Sequence, residues 1–294
     1  MKKSTNNIRD LYEKRNISKE EKEYLAEYDM NKYFRPSISS DIAAFTIKNR
    51  SEDNYRKEEK ASLLILMVKR GTHPFKDYWA LPGGFMRENE SIEECAYREI
   101  VEETNISPIS MKHIGVFSEV GRDPRGRIIS NAFASIIYDS EGEIISGDDA
   151  EDARWFEITL DLNDEFYNLS LKGGDTELNA VLKESNNEFG IKRFEIVESD
   201  GIGFDHAAII GTALSSLRKD VLDLETLFDF LPEKFTLLSL QRVQETILNK
   251  ELLPANFRRK VMPYVEETDE YVTGAGHRPA KLFVRKKEEI KLKD

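Results

Sequence analysis

The sequence predicts an α+β chain: a mixed sandwich of strands and one helix up to about residue 160, then a helical C-terminal part closed by two strands. Three observations carry this. Apolar runs of strand length, ASLLILMVKR at 61–70 and IISNAFASIIYD at 128–139, flank a stretch of helical periodicity at 92–104. From His206 to Leu231 the sequence turns helical, HAAIIGTALSSLRKDVLDLETLFDFL, and stays mostly so to Glu267. The strands DEYVTG and AKLFVRKK then flank GAGHRP, a turn signal. A chain of 294 residues can build two cores. We expect an N-terminal helical extension at 1–34, a first domain at 35–204 with an insertion at 163–202, and a second domain at 205–294.

SKEEKEYLAEYDMNKY, at 18–33, reads as a short polar helix ahead of the extended run RPSISSDIAAFTIK. NRSEDNYRKEEK, at 49–60, has almost nothing to bury and reads as a hairpin loop. The continuous apolar run ASLLILMVKR marks a buried strand, and Pro82, Gly83 and Gly84 break the chain after YWAL. HIGVFSEV and IISNAFASIIYD are strands joined by GRDPRGR, and ARWFEI is another. In the insertion, FYNLSLKG, ELNAVLKE and KRFEIVES are candidate strands of extra sheet, separated by GGD and NNEFG. LSLQRVQETILNK is a helix with Leu240, Val243 and Ile247 inward, and PANFRRKVMPYVEE is a second, begun by Pro254.

Apolar residues make up 39% and charged residues 33%, too polar for a membrane protein. No segment offers eighteen uncharged apolar residues, and MKKSTNNIRDLYEKRN lacks the apolar core of a signal peptide. A cytoplasmic protein is expected. Cys95 is the only cysteine, which excludes an intrachain disulfide and a cysteine-based metal site. With four scattered histidines, a catalytic metal would rest mainly on oxygen. The net charge is −12, yet Leu231 to Asp294 carries 13 Lys+Arg against 10 Asp+Glu, leaving −15 on the first 230 residues. A mildly basic end on an acidic chain permits nucleic-acid binding locally.

GGFMRENESIEECAYREIVEETNI, at 83–106, holds seven glutamates and two arginines. Ser91 followed by Glu94 is a capping-box pattern, so a helix should begin at Ile92, and Asn105 marks a left-handed end. Ile92, Cys95, Ala96 and Ile100 form the buried stripe. Glu99, Glu102 and Glu103 then gather on another part of the surface, where each close like-charge pair costs ~0.2–0.5 kcal/mol. A solvated acidic face is the plain alternative. A divalent cation is the better explanation, because the spacing from Gly84 through Glu90, Arg98, Glu99, Ile100, Glu102 and Glu103 to Ile106 resembles the Nudix box, Gx5Ex7REUxEExGU. Asn105 alone departs from it, in place of glycine.

That resemblance implies a Nudix α/β/α sandwich whose loop–helix–loop carries a divalent ion beside a diphosphate. Glu99, Glu102 and Glu103 would hold Mg²⁺ or Mn²⁺, with Glu90 and Arg98 bracing them and the backbone at Gly83 as a further ligand. The general base stays open between the three glutamates and an acid of GDDAEDARW such as Glu151. Arg70, Arg122, Arg125 and Arg127 are candidates for the diphosphate, since guanidinium binds phosphate bidentately, or else belong to a charged hairpin tip. Phe75, Tyr78 and Trp79 could stack on an adenine, although Trp79, like Trp155, reads rather as core. His206 has no metal-spaced partner and reads as structural.

The two C-terminal helices and the hairpin YVTGAGHRPAKLFVRK have a winged helix-turn-helix pattern, with a helical lid or dimerisation module as the alternative. Asn256, Arg258, Arg259 and Lys260 lie on the second helix, and Arg278 and Lys281 near the wing tip, as DNA contacts require. The chain resembles the Nudix-related transcriptional regulators of NrtR type in YFRPSISSDI, PFKDYWALPGGF, DPRGRIIS, DDAEDARWF, FTLLSLQ, NFRRK and GHRPAKLF. Such regulators are described as having a degraded box, whereas this one keeps every charged position. The resemblance therefore implies a Mg²⁺-dependent hydrolase of a nucleoside diphosphate derivative, foremost ADP-ribose to AMP and ribose 5-phosphate. The alternative is a regulator that senses such a ligand and binds operator DNA as a homodimer, and both can hold.

Overall fold

In the computed structural model, which describes residues 17–50, 60–138, 150–187, 189–224, 226–272 and 279–286, the chain forms two units, 1–36 and 37–294. In the first, Ser18 opens helix α1 (Lys19–Glu27) by accepting the amide of Glu21. The helix buries no residue, as its KEEKEYLAE sequence requires, and a 3-10 turn at Met30–Lys32 follows.

The second unit is built on one ten-stranded sheet. Its elements run β1 (Ser37–Arg50), β2 (Lys60–Arg70), β3 (Trp79–Ala80), β4 (Gly83–Phe85), α2 (Ile92–Thr104), β5 (Ser110–Phe117) and β6 (Ile128–Ile136). Then come β7 (Ala150–Asn163), β8 (Phe166–Gly173), β9 (Thr176–Asn186), β10 (Lys192–Asp200) and α3 (His206–Leu222). The spatial order is β10-β9-β8-β7-β2-β1-β6-β5, with β3 beside β2 and β4 beside β1. β1 and β6 are parallel; the other neighbours are antiparallel.

The two-residue period of β1 divides the core. Ile42 and Ala44 pack with Leu66 and Phe133 against Ala96 and Ile100 of α2. Ala43 and Phe45 belong with Ile65 and Met67 to the opposite layer, which includes Ala207, Ile210 and Leu214 of α3. Each such large side chain contributes ~1.5–3 kcal/mol on burial. The insertion continues this same sheet instead of forming a separate one. β7 outruns ARWFEI because ITLDLN keeps the alternation, with Ile158 and Leu160 buried and Thr159 and Asp161 exposed, and β8 pairs along it.

The expected boundary at 205 falls at the start of α3, a helix that packs on the sheet. A side-chain carbon at Gly211 would meet Leu182 at 2.8 Å and Phe194 at 3.1 Å, so glycine there lets α3 approach β9 and β10. Beyond it lie α4 (Leu237–Leu248), α5 (Pro254–Val261) and the hairpin β11 (Val265–Val272) and β12 (Ala280–Arg285). Here the structure corrects the sequence reading: PANFRRKVMPYVEE is not one helix. Pro263 lacks an amide hydrogen, the α-helix stops at Val261, and Val265 already starts a strand.

Candidate functional site

The helix ends fall where the spacing predicts. Ser91 Oγ accepts the Glu94 amide at 3.2 Å, Glu94 Oε2 accepts the Ser91 amide at 2.9 Å, and Asn105 sits at φ 56°. Cys95, Ala96, Ile100 and Thr104 are buried, with Ile92 packed at their edge. Arg98 is what lets the glutamates crowd. Its Nε and Nη2 donate to Glu90 at 2.9 and 2.5 Å, and its Nη1 donates to Glu99 at 2.5 Å and Glu102 at 3.1 Å. The Phe85 carbonyl accepts from Nη2 at 3.1 Å. Arg98 thereby holds the Glu90 carboxyl down at about 2.

Glu99 and Glu103 face a cavity of about 300 Å³ walled by β1, β2, β4, α2 and the loops before β6 and α3. Glu103 Oε2 accepts the Gly83 amide at 3.0 Å. Burial pushes the Glu103 carboxyl up to about 8; the Gly83 amide opposes this, and the charges of Glu99 and Asp41 add to it. Burial also raises Glu99, against the pull of Arg98. Gly84 makes the arrangement possible, because a side-chain carbon there would lie 2.5 Å from the Glu99 carboxyl carbon.

Glu102 departs from expectation. It is exposed, absent from the cavity wall, and paired with Arg98 and with Arg87, both at 3.1 Å. At 100° per residue, Glu103 lies about 40° from Glu99 around the helix, while Glu102 lies about 60° away on the other side. Gly83 and Glu103 line the cavity, whereas Glu90 and Arg98 do not; Arg98 reaches it only through its bond to Glu99. The Glu151 side chain lies outside the described residues.

Of the diphosphate candidates, Arg70 and Arg125 line the cavity, with guanidinium carbons 4.8 and 5.4 Å from the centre of the Phe204 ring. Phe75 packs against that same ring at 4.7 Å without itself lining the cavity. Arg125 is clasped there by Asp123 at 3.0 and 2.7 Å, and Arg122, which lines the cavity too, is gripped by Asp205 at 2.8 and 2.6 Å and by Asp41 at 3.3 Å. Arg127 points elsewhere, donating to the Ser118 and Glu119 carbonyls. Trp79 is core, packed edge-on against Phe156, as its sequence suggested.

Sequence reasoning missed Asp41 and Phe204. Asp41 is a lone acid in SSDIAA that the β1–β4 register sets opposite Gly83; it accepts from Ser130 Oγ at 2.5 Å. His206 is buried, accepts the Leu81 amide at 2.9 Å through Nδ1, and has Nε2 3.5 Å from Asp41. Burial lowers its pKa, so the ring is a neutral part of the cavity wall. Among the described residues no three His, Cys, Asp or Glu side chains form a ready-made metal cluster. The donor chemistry nonetheless suits Mg²⁺ or Mn²⁺. Glu99, Glu103 and Asp41 are hard carboxylate donors on one small cavity, and their mutual repulsion is what a cation relieves.

At the other end, Asn256, Arg258 and Arg259 are exposed along α5. Lys260 instead donates to the carbonyl of Leu222, capping the end of α3, and Lys281 pairs with Glu267 at 2.5 Å. Arg278 lies outside the described residues. No helix among the described residues is long and apolar enough to cross a membrane.

These features define a Nudix domain carrying a DNA-binding type of winged helix. A NUDIX domain model matches residues 54–166, and a model of the NrtR DNA-binding winged helix domain matches 227–284. In these two matches the chain is similar to regulators of NrtR type. The chain is 27% identical over 268 residues, 90% of it and 87% of the relative, to the ADPR responsive transcriptional repressor NtrR of Acinetobacter baylyi. It is 46% identical over 94 residues to an ADP-ribose pyrophosphatase of Methanocaldococcus jannaschii, spanning 32% of this chain and 54% of that one. Among solved structures, a MutT/nudix family protein of Enterococcus faecalis aligns with a TM-score of 0.70 at 25% identity, over 95% of this chain and 97% of the other. Shewanella oneidensis NrtR, complexed with a 27mer DNA, aligns with a TM-score of 0.57 at 25% identity, over 85% and 93%.

Proposed function

We propose that the protein is a transcriptional regulator responsive to ADP-ribose or a related nucleoside diphosphate sugar, with the ligand in the Nudix cavity and operator DNA on α5 and the wing. One observation carries this reading: α3 begins at the cavity wall, with His206, and ends under the winged helix, where Lys260 of α5 caps it. Arg70 and Arg125 supply positive charge for a diphosphate, and Phe204 offers an aromatic face beside them. The Acinetobacter relative is described as ADP-ribose responsive, and the Shewanella structure contains DNA, which supports both halves of the reading. A palindromic operator would call for a homodimer. Gel shifts with DNA from upstream of its own gene test this. Binding should weaken with salt and with Arg258→Ala, and respond to ADP-ribose; binding that ignores all three rejects it.

A second reading, hydrolysis of that ligand, is favoured by the intact charged positions of the box. Mg²⁺ or Mn²⁺ held by Glu99 and Glu103, with Asp41 as the third carboxylate on the cavity in place of the expected Glu102, would neutralise the diphosphate and acidify a water. Arg98 keeps Glu99 in place, and Gly83 fixes the Glu103 carboxyl by its amide. Burial and the charges of Glu99 and Asp41 push Glu103 up to about 8, a repulsion that a bound cation would relieve. Incubation with ADP-ribose and Mg²⁺ should release AMP from the wild type and not from Glu103→Gln. Equal output from both removes the enzyme reading and leaves the regulator intact.

A further inference from the structure

We infer that Arg122 is the residue through which the cavity signals, exchanging Asp205 for the ligand's diphosphate and so resetting the start of α3; this rests on the regulator reading above. Arg122 is an unusual wall residue: its side chain is 5% exposed, it lines the cavity, and two carboxylates already hold it. Its bidentate partner Asp205 is the N-cap residue of α3. An aspartate there ordinarily accepts the amides of the first helical turn. Here it accepts none of them: its backbone lies at φ −95° and ψ 19°, away from the extended form of a capping residue, and both carboxylate oxygens are turned to Arg122. Asp205 therefore has two alternative partners, the guanidinium or its own helix.

A diphosphate in the cavity offers Arg122 two charged oxygens in place of those of Asp205. Released, Asp205 turns toward the Ala207 amide in the buried first turn of α3, the amides of His206 and Ala208 being already bonded to the carbonyls of Gly203 and Asp205, and that turn shifts relative to the cavity wall. The far end of α3 is where the winged helix is fastened. Arg218 donates to the Ile247 carbonyl of α4 at 3.2 Å, Gln244 of α4 donates to the Val221 carbonyl at 2.6 Å, and Lys260 of α5 caps Leu222. The helix is 17 residues, about 25 Å, so a tilt at its start displaces α5. Both sites bias one element, as coupling requires.

The test compares wild type with Asp205→Asn for ADP-ribose affinity by calorimetry, and for affinity toward the upstream duplex with and without ADP-ribose. In the wild type, ligand should change duplex affinity by about 5- to 150-fold. In Asp205→Asn, Arg122 has no bidentate rival, so ADP-ribose should bind more tightly while its effect on DNA falls to within about twofold. Wild-type coupling, or unchanged ligand affinity, in that variant overturns the inference. If it melts well below wild type, Arg122→Lys serves, since lysine lacks the two-point grip and should likewise uncouple the sites; full coupling there also overturns it. A wild type that binds no DNA or ignores ADP-ribose instead refutes the regulator reading, a separate outcome.

Discussion

Replacing Glu103 by glutamine should stabilise the protein near neutral pH while weakening its hold on a divalent cation. The amide oxygen of glutamine keeps the 3.0 Å bond from Gly83. What the substitution removes is the cost of an ionised group pushed up to about 8 by burial and by the charges of Glu99 and Asp41. Between about 4.5 and about 8 the folded protein holds a proton that the unfolded chain has given up, so stability is greatest below that window and declines across it. At about 1.4 kcal/mol per pH unit the rise sets a ceiling of about 5 kcal/mol, which water entry and side-chain relaxation reduce to about 1–2 kcal/mol. Urea denaturation at several pH values across the window measures it. Wild type should lose stability with rising pH, and Glu103→Gln should lose much less. Millimolar Mg²⁺ should flatten the wild-type profile alone. Parallel profiles for the two proteins, or a glutamine variant weaker at the alkaline end, would refute the electrostatic account of the cavity.

Arg98→Ala should cost about 2–3 kcal/mol in the same assay, because Glu90, Glu99 and Glu102 lose a common partner, with Arg98→Lys recovering only part. The Glu90 carboxyl, held at about 2 by Arg98, contributes stability present above about 4.5 and lost as pH falls toward 2; Glu90→Gln should therefore blunt the acid limb of the profile. Gly84→Ala should leave the melting temperature near wild type while lowering ADP-ribose affinity about tenfold by calorimetry, since the new methyl group displaces the Glu99 carboxylate. Arg258→Ala should weaken duplex binding and reduce the salt slope by about one.

Local chemistry made much of this molecule legible in advance. The capping pair Ser91 and Glu94 and the terminal Asn105 placed α2 without reference to anything distant, and the period of IISNAFASI placed β6. Pro263 is equally local, but the helical run NFRRKVM ahead of it and the polar residues of YVEE after it carry a helical pattern past it. What the sequence hides is register. Asp41 belongs to the cavity because it faces Gly83 across a strand pair, and Arg122 meets Asp205 across 83 residues of chain. Glu102 shows the same limit on a smaller scale: spacing places three glutamates on one broad arc, but only the packing of α2 decides which of them look inward. The arginines of GRDPRGR divide likewise, with Arg125 at the cavity but clasped by Asp123, Arg122 also at the cavity but locked to Asp205 and Asp41, and Arg127 holding its own loop.

A single apolar cluster runs from Ala43 and Phe45 of β1 through α3 to Val243, Phe257 and Phe283 of the winged helix. The two halves are consequently not interchangeable beads. A fragment cut ahead of residue 227 would leave the sensor with a greasy flank, and the DNA reader alone would lose the surface on which it stands. Joining this Nudix unit to another winged helix would mean carrying α3 along and matching its last turn.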